Sequence, residues 1–250
     1  MRRRRDEFLA RFEGEILSGR FAPGDRLPAE RDLAESHGVS RPVVHAALEE
    51  LAKRGLLRIE PRQGVFVADW RREGSVEILL SIINYSGGDL SPGIFDGLLE
   101  MRLLFEVETA RLAALRAKAP ELAAIDRVLA RETLFEYRAS RDATRIDFDF
   151  HFAVALASGN AVYPMLMNSF RRVYERILDR FYEEPAVVPE VFRMHRALAL
   201  SIVAGDAEAS AAGMREILGF GERTLRRLLV SPEAGFEAAP AASGRGRRGR

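Results

Sequence analysis

The sequence predicts a mainly α protein with two domains, an N-terminal winged helix-turn-helix followed by an all-α antiparallel helical bundle. Three observations predict this. Between Leu27 and Val67, two short helical patterns, a glycine that separates them and a pair of alternating runs succeed one another. From Ser75 onward every apolar pattern repeats at helical spacing, with Pro and Gly at the points that would separate successive helices. The 250 residues, 47% of them hydrophobic, are enough to bury a core in each domain.

In chain order, Asp6 to Ser18 sets Phe8, Leu9, Phe12, Ile16 and Leu17 on one side, a helix that packs behind the two short helices after it. Gly24 and Asp25 make a turn. Pro28 suits a first helical turn, and Leu33 and Ala34 give Ala29 to His37 a buried side before Gly38 ends it. Ser40 is a good N-cap for a second helix that tolerates Pro42 in its first turn. Val44, Ala47, Leu48 and Leu51 recur along that helix until Gly55, leaving Arg41, Val43 and His45 at its open N-terminal end. Leu57 to Glu60 and Val65 to Ala68 alternate as strands around Pro61, Arg62, Gln63 and Gly64, a two-stranded wing.

DWRREG at 69–74 breaks the apolar pattern and reads as a hinge, with Trp70 packed at the joint. The boundaries expected are therefore 1–68, 69–74, an all-α domain over 75–230, and a basic tail over 231–250 that has little to bury and reads as disordered. Helices are expected at Val76 to Tyr85, Ile94 to Ala117, Pro120 to Ala139, Ala143 to Ala157, Val162 to Tyr182, Val188 to Ala204, and Ala207 to Leu229.

Without cysteine the chain has no disulfide framework and no thiolate metal site, and it shows no apolar leader or membrane span, so it reads as cytoplasmic with no membrane partner. Net charge is only +1, yet Arg2 to Arg5 open the chain and Arg245, Arg247, Arg248 and Arg250 close it. Both ends can touch phosphate, and the N-terminal run can equally be a solvated helix entrance.

The stretch ILSGRFAPGDRLPAERDLAESHGVSR, with AALEELAKRGLL and QGVFV after it, resembles the N-terminal domain of the GntR family of bacterial regulators. LLEMRLLFEVETARLAALRA and DFDFHFAVALASGN resemble the family's FadR-type C-terminal domain, and NAVYPMLMNSFRRVYERILDRFYEEPA resembles the fatty-acid-responsive branch. The resemblance implies DNA contacts from Arg31, Ser40, Arg41, Arg62 and Gly64. His45 stands where the family usually has an arginine, and imidazole cannot repeat the bidentate contact of arginine with guanine.

Asp147 and His151 are one helical turn apart and can offer an oxygen and a nitrogen to one ion, with His195 as the natural third ligand from another helix. The resemblance adds a fourth, a histidine where this chain has Ile217. Three ligands still permit Zn, Ni or Mn completed by water or an effector carboxylate. The same residues also read as a hydrogen-bonded pair plus a core histidine with no metal. Arg102, among Leu99, Met101, Leu103 and Leu104, needs an anion if it points inward. Glu106 can supply it, and the resemblance favours an acidic effector, with Asn168 and Arg172 as further polar contacts.

These features together lead to the expectation of a homodimer that reads a palindrome in double-stranded DNA and responds to an acidic metabolite, either a small carboxylate or a fatty acyl-CoA. The alternatives are an architectural DNA-binding protein without an effector and a metal-dependent hydrolase. No nucleophile motif or phosphate-cradling loop accompanies the Asp/His set, so the chain is not expected to be an enzyme.

Overall fold

The computed structural model describes residues 2–230, and the expected basic tail at 231–250 lies outside them. The chain opens with α1 (Arg2–Leu17), which starts four residues before the apolar pattern does and carries an Arg3–Glu7 ion pair along its exposed first turn. Next come α2 (Glu30–His37), α3 (Arg41–Lys53), and the hairpin of β1 (Leu57–Glu60) and β2 (Gly64–Val67). The strands pair antiparallel with Leu57 opposite Val67. The segment before α2 lies along the free edge of β2, since Leu27 N–H donates to the Val65 carbonyl and Val67 N–H to the Asp25 carbonyl.

Phe8, Phe12, Leu33, Val44, Leu48 and Leu51 are buried together, so α1 does pack behind the α2–α3 pair. Val43, expected at the open end of α3, is buried in this core instead. Being next to Val44 in a helix, it lies only about 100° around the axis and still faces α1 and α2.

The expected hinge holds a short helix, α4 (Trp70–Glu73), whose Trp70 packs against the N-terminal core. Close approach at this joint requires a glycine. Gly55 sits at φ 83°, and a Cβ there would lie 2.4 Å from the Glu73 carbonyl oxygen. Then α5 (Glu77–Tyr85) joins the two domains: Ile78 and Ile82 are buried in the N-terminal core, while Ile83 is buried in the second. Ser81 Oγ donates to Glu13 of α1, and Glu77 pairs with Arg172 across 3.2 Å.

The second core is built by α6 (Pro92–Arg116), α7 (Ala119–Thr133), α8 (Ser140–Ala157), α9 (Val162–Phe181), α10 (Val188–Val203) and α11 (Ala207–Leu229), joined by short connections as in an antiparallel bundle. The central helix is α8, packed against α6, α7 and α9, and its Phe148, Phe150, Val154 and Ala155 are fully buried. The one sizeable departure from the expected helices is α7, which ends at Thr133 rather than Ala139. Two aromatic contacts take over there: Phe135 meets Phe192 edge to face, and the hydroxyl of the exposed Tyr137 donates to the Tyr182 carbonyl. These side chains stabilise a non-helical return into α8.

Candidate functional site: a DNA face and a buried polar centre

The DNA-facing candidates come from α2, α3 and the wing. Arg31 and Arg41 are exposed near the starts of α2 and α3. Ser40 is the N-cap of α3 in extended backbone, and its hydroxyl makes no cap hydrogen bond. In the wing, Arg62 has a positive φ of 66° and Gly64 one of 123°, the tight reversal that a two-stranded wing needs. A Cβ at Gly64 would come within 2.9 Å of the Arg26 side chain. Arg62 and Gly64 line one cleft with Arg26 and Glu30, and Glu30 in turn holds His45 of α3, so wing, α2 and α3 meet there.

Inside the bundle, α8 presents Asp147 and His151 one turn apart and α10 presents His195, all three buried, with one ligand atom from each lying within 4.8 Å of the others. His195 is held from behind by α7, its Nδ1 2.6 Å from Glu132 Oε1, while its Nε2 has no hydrogen-bond partner and faces Asp147 Oδ1 at 3.6 Å. His151 has Glu106 of α6 against its Nδ1. A carboxylate behind each imidazole is how metal-ligating histidines are commonly oriented, and the orphaned Nε2 supplies an unused donor. Asp147 accepts from the hydroxyls of Tyr174 and Tyr182. The residues present therefore fit a divalent cation, which Asp147, His151 and His195 would hold. Such an ion would supply a Lewis-acidic position open to a carboxylate. Ile217 lines a small cavity of about 20 Å³ beside Asp147 and His151, and so borders the cluster without donating to it.

Burial and then the Asp147 charge push the Glu132 carboxyl up to about 8, and burial pushes His195 down to about 3. Both shifts have one cause, since burial disfavours the carboxylate of Glu132 and the imidazolium of His195 alike. Burial and then Asp147 also raise Tyr174 and Tyr182, which stay protonated donors.

Arg102 points inward, as expected, and already has its anion. Its guanidinium pairs with Glu106 and stacks 4.7 Å from the Tyr174 ring centre. Burial alone would push the Glu106 carboxyl up, but Arg102 and His151 outweigh it and hold it at about 2. An acid arriving at Arg102 must displace or join Glu106. Arg102, Glu106 and Tyr174 also floor an apolar groove of about 520 Å³ between α6 and α9, walled by Leu98, Phe105, Phe170 and Ile177. Asn168 and Arg172, expected to add polar contacts there, are placed on the exposed side of α9 instead, and Arg172 pairs with Glu77. They fall on the helix face opposite to Met167 and Val173, which are the buried ones.

Sequence reading missed Glu132, Tyr174 and Tyr182. Glu132 comes after Ile125 and Val128 at helical spacing, so an acid on an apolar stripe was the available signal. Tyr174, Leu178 and Tyr182 form a comparable stripe around the end of α9.

A winged helix module joined to a helical domain with a buried polar centre defines a DNA-binding transcription regulator. Residues 6–67 match the family model of bacterial regulatory proteins of the gntR family, and residues 97–220 match the FCD domain. The regulator Mce2R of Mycobacterium tuberculosis is 30% identical over 229 residues, which is 90% of this chain and 93% of that protein. A fatty acid metabolism regulator protein of Shewanella amazonensis is 33% identical over 170 residues, 67% of each chain. A solved structure described as Lar, which controls the expression of the Listeria monocytogenes agr system, shares the fold. It has a TM-score of 0.60 at 15% identity and covers 90% of this chain and 97% of that one. The chain belongs to the GntR family, with an FCD-type C-terminal domain, and its relatives are transcriptional regulators, not enzymes. Among the described residues, no helix is long and apolar enough to cross a membrane.

Proposed function

We propose that this regulator binds a palindromic operator as a homodimer and changes its affinity when an acidic metabolite occupies the helical domain. The observation that carries the sensing role is the buried centre of Asp147, His151 and His195 beside Arg102, a costly arrangement of polar groups in a domain whose relatives are transcriptional regulators. The apolar groove on the other side of Arg102 favours an acid with a hydrocarbon portion, in keeping with the fatty acid metabolism regulator among the relatives. Leu104 and Leu166, which line this groove, stand 73% and 46% exposed, which supports a second copy covering it. The helix α5 spans both cores and is the element through which occupancy can reach the DNA module.

Two measurements test this reading. Arg41→Ala is expected to weaken operator binding by about 1 to 3 kcal/mol and to flatten the preference at one base position per half-site. Unchanged operator selection by the variant would remove Arg41 from the base contacts. Operator release is then titrated with organic acids and with acyl-CoAs, each with and without a chelator. Release by a small acid that chelation abolishes supports a Zn, Ni or Mn centre as the receptor, and chelator-insensitive release by an acyl-CoA supports the groove. No release by either class sinks the proposed effector.

A further inference from the structure

His45 on α3 is held from a second element. Its Nδ1 lies 2.8 Å from Glu30 Oε1 on α2, its Nε2 lies 3.5 Å from Glu49 Oε1 one turn along α3, and its side chain is 58% exposed. A neutral imidazole carries one N–H and one lone pair, and an ionised carboxylate only accepts. Glu30 therefore keeps the proton on Nδ1 and leaves Nε2 as the nitrogen whose character can change. Neutral, Nε2 accepts a hydrogen bond; protonated, it donates one. In the major groove guanine shows two acceptors, N7 and O6, whereas cytosine and adenine show amino donors.

We propose that Glu30 is a specificity-determining positioning residue: it fixes the tautomer of His45 so that Nε2 alone reads the base. The preferred base at that position then changes from one with an amino donor to guanine as the ring gains a proton. This rests on reading α3 as the base-contacting helix. The hydrogen bond that His45 donates to Glu30 comes first, and the charges of Glu30 and Glu49 add to it, in raising the imidazole above its ordinary 6.5. The charged groups at the ring are Glu30 on α2 and Glu49 one turn after it on α3, while Arg41 stands one turn before it in the helix. DNA phosphates favour the imidazolium as well.

The test is binding-site selection from randomised duplex DNA by the full chain at pH 6 and pH 8.5. At one position of each half-site, guanine is expected to lose roughly three- to tenfold in frequency relative to adenine and cytosine at the higher pH, the size of one hydrogen bond. Glu30→Gln, which keeps the shape but removes the charge and can donate as well as accept, is expected to compress that change. Ring nitrogen NMR of the free protein is expected to show His45 with its proton on Nδ1 in the wild type and as a mixture of tautomers in Glu30→Gln. If His45→Ala leaves every position of the profile unchanged, His45 does not face a base and the underlying reading of α3 at this residue fails. If His45→Ala flattens one position while the wild-type profile is the same at both pH values, only the Glu30 inference is overturned. A Glu30→Gln profile and tautomer ratio equal to wild type overturn it too.

Discussion

Arg102→Ala is expected to cost roughly 2 to 4 kcal/mol of folding stability at pH 7, measured by urea denaturation. The loss comes less from the missing contact than from what stays behind. Glu106 is 4% exposed, and without Arg102 it has a buried charge with His151 as its remaining partner. Arg102 keeps about a fifth of its side chain in solvent, which places the cost in the lower part of the range for a broken buried pair. The pH dependence comes from Glu106. Its carboxyl stands at about 2 in the fold against an ordinary 4.5, so the stability it contributes is present above about pH 4.5 and is lost as the pH falls through about 2. In Arg102→Ala burial dominates and the carboxyl titrates higher, so protonation relieves the variant early and its deficit shrinks between pH 7 and pH 4. Arg102→Met combined with Glu106→Gln is expected to recover most of the loss, because no charge is left unpaired. A single variant within about 0.5 kcal/mol of wild type at pH 7 would show that the pair is solvated and that Arg102 remains available to an outside anion.

How much of this centre was legible depends on the range over which its residues act. Asp147 and His151 are one turn apart on α8, and that spacing is visible in any sequence. Glu132 reaches His195 from sixty-three residues away, and only its place on the apolar stripe of α7 hinted at it. The fold shows the same division. Helix ends marked by Gly38, Pro42 and Gly55 fall where local chemistry puts them, since those residues act on their own backbone. The end of α7 depends instead on Phe135 and Tyr137 meeting Phe192 and Tyr182, contacts that no local pattern encodes. Arg172 could have faced inward on helical periodicity alone, and its pairing with Glu77, ninety-five residues away on α5, is a long-range contact that the local pattern does not show. His45 was recognisable as a departure from the family's arginine, but its partner Glu30 lies on another helix and was not.

Ile217→His is expected to convert the centre from three ligands to four and to make stability depend on metal far more strongly than in the wild type. Ile217 is 6% exposed and lines the small cavity next to Asp147 and His151, so an imidazole there is directed at the cluster. Without metal, the variant exchanges buried aliphatic carbon for a polar ring and is expected to lose about 1 to 3 kcal/mol. With Zn at a hundred times its dissociation constant, about 2.7 kcal/mol returns through binding to the folded state alone. For a chain of this size that is a rise in Tm of roughly 5 to 10 °C. At the same Zn concentration the wild type, with three ligands and a lower affinity, is expected to rise by less, and Asp147→Asn by least. The measurement is thermal unfolding of all three chains after chelation and again after titration with Zn, Ni or Mn. Equal shifts in Ile217→His, wild type and Asp147→Asn would mean that the ion binds elsewhere. The two histidines would then be core residues held by Glu106 and Glu132, and effector recognition would pass to Arg102 and the apolar groove above it.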